Sequence, residues 1–201
     1  MDDPKLEMLM ELSGAGFDYR NLDEIFQNQA LLPKEVDIIL KWLPFIYAEQ
    51  RGAADLLVRA LISAKEAFDP SLLIEMFEKS DLNSYLKFGI GNTLALARTA
   101  DISTWIKDQL LNGESSMERY ALVAGLPIKG GFGNDRQLMD FLRIIFDRYH
   151  DETMLKLFKK YGDKTDAGFL HEKLKELSSK EVKQASKVIE SMLKKNLKNN
   201  K

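Results

Sequence analysis

The sequence predicts an all-α protein built as a right-handed α-solenoid, an array of antiparallel helix pairs with helical caps at both ends. The spacing of apolar residues and the position of helix-start motifs support this prediction. Apolar residues recur at i, i+3 and i+4 along the chain, and strict alternation of the strand type is never sustained. Equivalent apolar triplets return every 29 to 37 residues, and helix-start motifs fall between them.

Residues 1–32 are predicted to form an N-terminal helical cap. Its two short helices carry one apolar triplet each, Leu6/Leu9/Met10 and Leu22/Ile25/Phe26. The segment SGAGF separates the two helices and predicts a turn, because glycine and serine favour turns over helix.

Residues 33–161 are predicted to form about four helix pairs. The triplets of the first helices are Val36/Ile39/Leu40, Leu73/Met76/Phe77, Ile102/Trp105/Ile106 and Leu138/Phe141/Leu142. Those of the second helices are Leu57/Ala60/Leu61, Leu86/Gly89/Ile90, Met117/Tyr120/Ala121 and Met154/Leu157/Phe158. The spacings are 37, 29 and 36 residues in the first set and 29, 31 and 37 in the second. A period of thirty-odd residues with two helices per unit is typical of an α-solenoid.

Capping motifs mark the starts of several helices. Asp69 is predicted to cap a helix whose first residue is Pro70. Ser115 and Glu118 have the form of a capping box, in which each side chain bonds the backbone amide of the other residue. Two further motifs of this form lie at Asn134–Gln137 and Ser178–Glu181.

Residues 162–201 are predicted to form a C-terminal helix pair with a lysine-rich tail, continuous with the array as one structural domain. From Lys180 onward seven lysines and two glutamates give a net charge of +5, against −2 for the whole chain. Val182, Ser186, Ile189 and Leu193 form a single stripe, as expected of a terminal repeat with a polar outer face. We interpret the lysines as this solvated face, and a nucleic-acid-binding or membrane-binding tail is the alternative.

Three segments, ADLLVRALISA, SYLKFGIGNTLALA and SMERYALVAGL, resemble the second helices of the HEAT-like repeat family. The resemblance covers about residues 33–161 and rests on periodicity and on the placement of small residues. The repeats are shorter than the roughly 40–47 residues usual in that class. The resemblance implies stacked second helices that form a concave binding surface.

Two glycine-containing segments are candidates for ligand binding. KFGIGNTLALAR has neither a preceding strand nor the third glycine of a phosphate loop. We therefore interpret Gly89, which is equivalent to Ala60, as a residue that lets two helix backbones approach closely. IKGGFGNDRQ, with Lys129, Phe132 and Arg136, is interpreted as a turn between repeats, and contact with a ligand is the alternative.

The sequence offers no convergent set of catalytic or metal-binding groups. The absence of cysteine excludes thiolate chemistry, and neither His150 nor His171 has a second histidine at i+4. We expect His150 to end one helix and Asp151 to cap the next. We predict no catalytic residue, no metal and no cofactor, and the balance of these observations is against an enzyme. The lack of cysteine, of a long apolar run and of a basic leader leads us to expect a cytoplasmic protein that does not bind membranes.

The predicted function is that of a non-enzymatic scaffold, which binds a partner protein on the concave face of the second helices. A bacterial regulatory or immunity-type protein would fit this description. The candidate contact residues are the polar residues on or beside these helices, namely Arg59, Lys87, Asn92, Arg98 and Arg119.

The alternative is a nucleic-acid-binding protein, because some HEAT-like proteins are DNA glycosylases that excise alkylated bases. Such enzymes use tryptophans and an aspartate on a basic concave surface, which would make Trp105 and Asp108 candidates. Trp105, however, occupies an apolar position of its triplet, and a net charge of −2 does not favour tight binding to a duplex. We therefore interpret Trp105 as a core residue.

Overall fold

All regular structure in the described part of the chain is helical, apart from two isolated bridges between loops. The computed structural model describes residues 3–79 and 82–199. The predicted all-α class is confirmed. The chain divides into two compact units, unit 1 up to Ile102 and unit 2 from Ser103 onward.

Unit 1 is organised around one central helix, α4. Its helices are α1 (Pro4–Gly14), α2 (Leu22–Gln27), α3 (Pro33–Glu49), α4 (Arg51–Ala60), α5 (Ser71–Glu78) and α6 (Ser84–Leu96), and a 3₁₀ turn at Leu61–Ser63 follows α4. α4 packs against α2, α3 and α6, while α1 packs on α3 and α5 packs on α6. The triplets Leu57/Ala60/Leu61 and Leu86/Gly89/Ile90 are buried, so the predicted second helices of this unit use the predicted faces.

The loops of unit 1 stack in the order of the chain. Leu31 forms a parallel bridge with Ala64, and Phe68 forms one with Thr99. In the first bridge Lys65 N donates to Leu31 O at 2.9 Å, and in the second Ala100 N donates to Phe68 O at 2.9 Å. The loops that follow α2, α4 and α6 are thus joined one to the next by backbone hydrogen bonds.

The buried face of α1 differs from the predicted one. Leu6 and Met10 are 54% and 65% exposed, whereas Met8 and Leu12 are fully buried. Phe26 on α2 is also 44% exposed, while Leu22 and Ile25 are buried. The apolar triplets Leu6/Leu9/Met10 and Leu22/Ile25/Phe26 therefore do not lie wholly in the core.

Unit 2 has a core rich in aromatic rings. Its helices are α7 (Ser103–Asn112), α8 (Met117–Lys129), α9 (Asp135–Tyr149), α10 (Glu152–Tyr161), α11 (Lys164–Lys173) and α12 (Ser179–Asn199), with a 3₁₀ turn at Leu174–Glu176. α8 packs against α7, α9 and α10, and α12 packs against α10 and α11. The rings of Phe146, Phe158 and Phe169 contact one another at centroid distances of 5.4–5.9 Å.

Most of the predicted helix caps are confirmed. Asn134 accepts from Gln137 N, Asp151 accepts from Met154 N, and Ser178 and Glu181 bond each other's backbone amides. Two predictions are off by one residue. The helix predicted from Pro70 begins at Ser71, whose amide bonds Asp69, and α8 has Ser116 rather than Ser115 at its N-cap.

Each unit contains a row of alternate helices in contact. In unit 1 α4 lies between α2 and α6, and in unit 2 α10 lies between α8 and α12. The right-handed solenoid, its terminal caps and the segment boundaries at 32 and 161 stay predictions. No helix within residues 3–79 and 82–199 has the length and apolar content needed to span a membrane.

Candidate functional site

One side of α6 carries two exposed residues, one half-buried residue and a buried glycine. Tyr85, Gly89, Asn92 and Leu96 are spaced by four, three and four residues, so they share one side of the helix. Tyr85 is 82% exposed and Leu96 is 50% exposed, while Asn92 is half-buried and donates through Nδ2 to Phe88 O at 3.1 Å. We call this set the α6 stripe.

An ion pair on α4 packs against the middle of the α6 stripe. Arg59 Nε lies 2.8 Å from Asp55 Oδ2, and both side chains are about one-third exposed. A Cβ built on Gly89 would lie 2.5 Å from Asp55 Oδ1 and 3.7 Å from Arg59 Nε. Nearby, Thr93 Oγ1 donates to Val58 O at 2.8 Å. Gly89 therefore leaves room for the side chains of this ion pair, which lies beside the α6 stripe, and its role in a close approach of two helix backbones stays a prediction.

Replacing Gly89 by valine should lower the free energy of unfolding by about 1–3 kcal/mol, because the new side chain overlaps the Asp55 carboxylate. Gly168 on α11 is the matched control, since a Cβ there meets no atom within 4 Å. Urea unfolding followed by circular dichroism measures both variants. The same substitution at Gly168 should cause no loss, and equal losses at the two positions would contradict the packing role of Gly89.

The remaining predicted contact residues lie in different surroundings. Lys87, on α6, is half-exposed. Arg98 is exposed and donates through Nη1 to Lys65 O, so it joins two stacked loops of unit 1. Arg119 belongs to unit 2, where its guanidinium donates to Glu114 O at 3.0 Å and to Gln109 Oε1 at 3.2 Å. The structure thus places Arg59 beside Gly89, on the same side of α6 as Asn92, and it gives Arg98 and Arg119 contacts that stabilise loops.

The surface of unit 1 also contains an acidic cleft that the sequence did not predict. It has a volume of about 270 Å³ and lies between the start of α3 and the loop before α5. Its apolar wall includes Val36 and Phe68, and Asp37, Glu66 and Asp69 supply carboxylates. A hydrogen bond from the Ser71 hydroxyl, with a second from the Ser71 amide, lowers the pKa of Asp69. The cleft therefore suits a cationic group with an apolar stem.

In unit 2, two arginines hold the loop of residues 113–116 between α7 and α8. Besides the Arg119 contacts, Arg148 donates through Nη1 to Leu111 O. In return Arg148 O accepts from Ser115 Oγ at 2.9 Å and from Tyr120 OH at 3.3 Å. Ser115 therefore bonds α9 instead of capping α8, which explains why its predicted role as a cap is wrong.

The other candidate residues of unit 2 have ordinary contacts. Trp105 is half-buried, so its interpretation as a core residue holds only in part, and Asp108 is exposed and accepts from Asn112 Nδ2 at 2.7 Å. His150 ends α9 as predicted, and its Nε2 lies 3.6 Å from Glu181 Oε1. Of the segment predicted as a turn, Lys129 ends α8 and Arg136 lies in α9, where it pairs with Asp140 at 3.1 Å, while Phe132 between the two helices contacts the ring of Phe141. Within the described residues, no group of three or more histidine, aspartate or glutamate side chains is placed to hold a metal ion.

Comparison with known proteins finds no matching family model, no matching curated protein and no matching solved structure. The resemblance to HEAT-like repeats therefore stays a prediction from the sequence. A function for this chain has to be inferred from the geometry of its described residues.

Proposed function

We propose that this chain is a protein-interaction scaffold that binds a partner on the surface made by α4 and α6. The observation that carries the proposal is the α6 stripe with the Arg59–Asp55 pair packed against it. Tyr85 and Leu96 expose apolar surface on the same side of the helix. Tyrosine and arginine are among the residue types that contribute most to protein interfaces.

A solenoid arrangement would place this surface on its concave side. In a right-handed HEAT-like array the second helices of successive pairs line that side, and the contacts of α4 with α2 and α6 support such an arrangement in unit 1. The contacts of α10 with α8 and α12 support it in unit 2. The absence of cysteine supports action in the cytoplasm.

The charge of unit 1 favours a partner with a basic surface. This unit contains 10 lysines and arginines against 17 aspartates and glutamates, a net charge of −7. The cleft lined by Asp37, Glu66 and Asp69 adds a concave acidic feature to the same unit. Complementary charge raises the association rate and selects against acidic partners.

Affinity capture from a native lysate with the double variant Tyr85→Ser/Leu96→Ser tests the proposal. We expect recovery of the partner to fall at least about tenfold, because the variant removes the exposed apolar anchors of the face. The control is Ile144→Ser on α9, since Ile144 is 68% exposed and lies in unit 2. Both variants should keep the melting temperature of the unmodified protein, because neither alters a buried side chain.

A photo-crosslinking residue makes the test direct. Placed at position 85 it should attach to the captured partner, and placed at position 144 it should not. Undiminished capture by the double variant, together with crosslinking at 144 alone, would show that the partner binds elsewhere.

The alternative proposal is nucleic-acid binding, and the charge of unit 2 supports it. This unit contains 19 lysines and arginines against 14 aspartates and glutamates, a net charge of +5. Four of its exposed lysines, Lys156, Lys159, Lys183 and Lys187, lie on α10 and α12, which pack together. Affinity for duplex DNA that falls steeply with salt would favour this function, and no affinity at low salt would dismiss it. Excision of an alkylated base, as in the HEAT-like DNA glycosylases, would in addition require Trp105 and Asp108 to contact that base.

A further inference from the structure

The acidic cleft of unit 1 is a cavity of limited size. It lies between the start of α3 and the loop before α5, and its volume is about 270 Å³. Pockets that hold drug-sized ligands range from about 300 to 1,000 Å³. The cleft therefore has room for a single side chain or a small group, and a large cofactor does not fit it.

One wall of the cleft is apolar and is held in place by backbone hydrogen bonds. Val36 is buried and Leu40 is half-buried on α3, and the half-buried Phe68 faces the cleft from the loop. Phe68 N donates to Arg98 O at 3.2 Å, and Phe68 O accepts from Ala100 N at 2.9 Å. The wall can therefore cover methylene groups of a ligand without first being ordered by it.

Three carboxylates border this wall, and they are available to a ligand. Asp37 and Glu66 are exposed, and neither has an ion pair or a side-chain hydrogen bond with any residue that the structure describes. The amide and the hydroxyl of Ser71 both donate to Oδ1 of Asp69, at 2.9 Å and 2.5 Å. The second oxygen of Asp69 is therefore left for another donor.

The positive charges near the cleft do not neutralise these carboxylates. In the described part of the chain, no lysine or arginine lines the cleft. Lys34 and Lys65 adjoin lining residues in the sequence but are not among them. Lys41, one turn after Asp37 on α3, pairs instead with Glu11 at 2.6 Å. The counter-charge of the cleft therefore has to come from another molecule.

A lysine side chain matches both the apolar wall and the carboxylates. Its methylene groups can lie against Val36 and Phe68 while its charged end stays in contact with water. An ammonium group is compact and has three donors, which suits carboxylates that come from α3 on one side and from the loop on the other. The planar guanidinium of arginine is better suited to two parallel hydrogen bonds with one carboxylate.

We propose that the acidic cleft binds a lysine side chain of a partner protein. The methylene groups pack on the apolar wall, and the ammonium group pairs with Asp37, Glu66 and Asp69. This inference rests on the proposed function in one respect, namely that the partner is a protein. The net charge of −7 on unit 1 favours the approach of a basic segment to this site.

The test titrates the full chain with a short peptide that has one lysine between glycines and is blocked at both ends. We expect the peptide to shift the backbone amide resonances of Val36, Ala67 and Phe68, which line the cleft. The same peptide with acetylated lysine should not bind, because acetylation removes the charge. A peptide with arginine in place of lysine should bind more weakly.

The double variant Asp37→Asn/Glu66→Gln should weaken binding of the lysine peptide about fivefold or more. It should fold normally, because both side chains are exposed. The matched control is Asp23→Asn/Glu49→Gln, which removes the same charge from exposed positions of α2 and α3 in the same unit. The control should bind the peptide as the unmodified protein does.

A lysine peptide that leaves the cleft resonances unchanged would overturn the proposal, and so would equal binding by the Asp37→Asn/Glu66→Gln variant. Equal binding of the arginine peptide would contradict the choice of lysine. Equal binding of n-butylamine would assign the cleft to small amines instead of a protein. A dimer of the unmodified chain in sedimentation, absent in the double variant, would assign it to a second copy.

The outcome is separable from that of the proposed function. The peptide titration needs no captured partner, and capture with Tyr85→Ser/Leu96→Ser leaves the cleft unaltered. Loss of capture by that variant with no peptide binding would contradict the cleft alone. Peptide binding with undiminished capture would contradict the α6 stripe alone.

Discussion

Replacing Arg143 by methionine should lower the free energy of unfolding by about 3–5 kcal/mol, because it leaves the Asp166 carboxylate buried without its counter-charge. Asp166 is 1% exposed, and Arg143 Nη2 contacts its Oδ1. Its other oxygen accepts from Asp163 N at 2.8 Å in the capping box of α11. The ion pair thus joins α9 to the start of α11. Urea unfolding at neutral pH measures the loss.

Arg136 is the matched control for this variant, because it is the same residue type on the same helix. It pairs with Asp140 at 3.1 Å and Asp163 at 3.6 Å, and its side chain is about half exposed. Arg136→Met should therefore cost no more than about 1 kcal/mol. A loss at Arg143 no larger than that at Arg136 would contradict the importance of the buried pair.

The cost of Arg143→Met should depend on pH. Burial raises the pKa of Asp166, and Arg143 together with the Asp163 amide opposes that rise. Removing the arginine raises the pKa of Asp166 further, so the folded variant takes up a proton more readily than its unfolded chain does. The variant therefore recovers stability as the pH falls toward the ordinary pKa of aspartate. The difference from the unmodified protein should be smaller at acidic pH than at neutral pH.

Helical class and many helix ends followed from the sequence because they depend on local interactions. Apolar spacing reports which residues share a side of a helix, and caps such as Asn134 and Asp151 need only neighbours three residues away. Gly89 was also interpretable, since a glycine inside a helix indicates a close neighbour. These features require no knowledge of distant parts of the chain.

The choice of buried face on α1 could not be made from spacing alone. Leu6 and Met10 are four residues apart, and so are Met8 and Leu12, so the helix is apolar on more than one side. Packing on α3 selects the second pair. Contact with α3 therefore determines which of the two apolar sides of α1 is buried, and the sequence of α1 alone does not.

The buried carboxylates were missed for a related reason. Asp166 and its partner Arg143 are 23 residues apart, and a charged residue on an amphipathic helix is ordinarily solvated. Glu35 offered one local signal, since it is the third residue of a helix that begins at Pro33, where a glutamate can bond the preceding backbone amide.

Replacing Glu35 by leucine should lower the free energy of unfolding by about 3 kcal/mol, because several donors lose a buried charged acceptor. Glu35 is 1% exposed, its Oε2 accepts from Leu32 N at 2.7 Å, and its Oε1 accepts from Tyr19 OH and from Asn28 Nδ2. One side chain therefore ties the start of α3 to the segments on either side of α2. Asp37→Leu, two residues further on the same helix and exposed, should change stability by no more than about 0.5 kcal/mol.

The titration of Tyr19 separates loss of this network from general destabilisation. Burial and the hydrogen bond to Glu35 raise the pKa of Tyr19 from its ordinary 10 to about 12. A phenol whose pKa is raised in the folded state stabilises the fold fully below pH 10, and that contribution is lost as the pH rises toward 12.

In Glu35→Leu the negative charge and its hydrogen bond are gone, so the pKa of Tyr19 should fall toward 10 while burial still opposes ionisation. Absorbance titration of the phenolate, with Tyr19→Phe to assign the signal, measures this shift. A Tyr19 titration that Glu35→Leu leaves unchanged would mean that burial alone holds the phenol neutral, and the predicted role of the carboxylate would then be wrong.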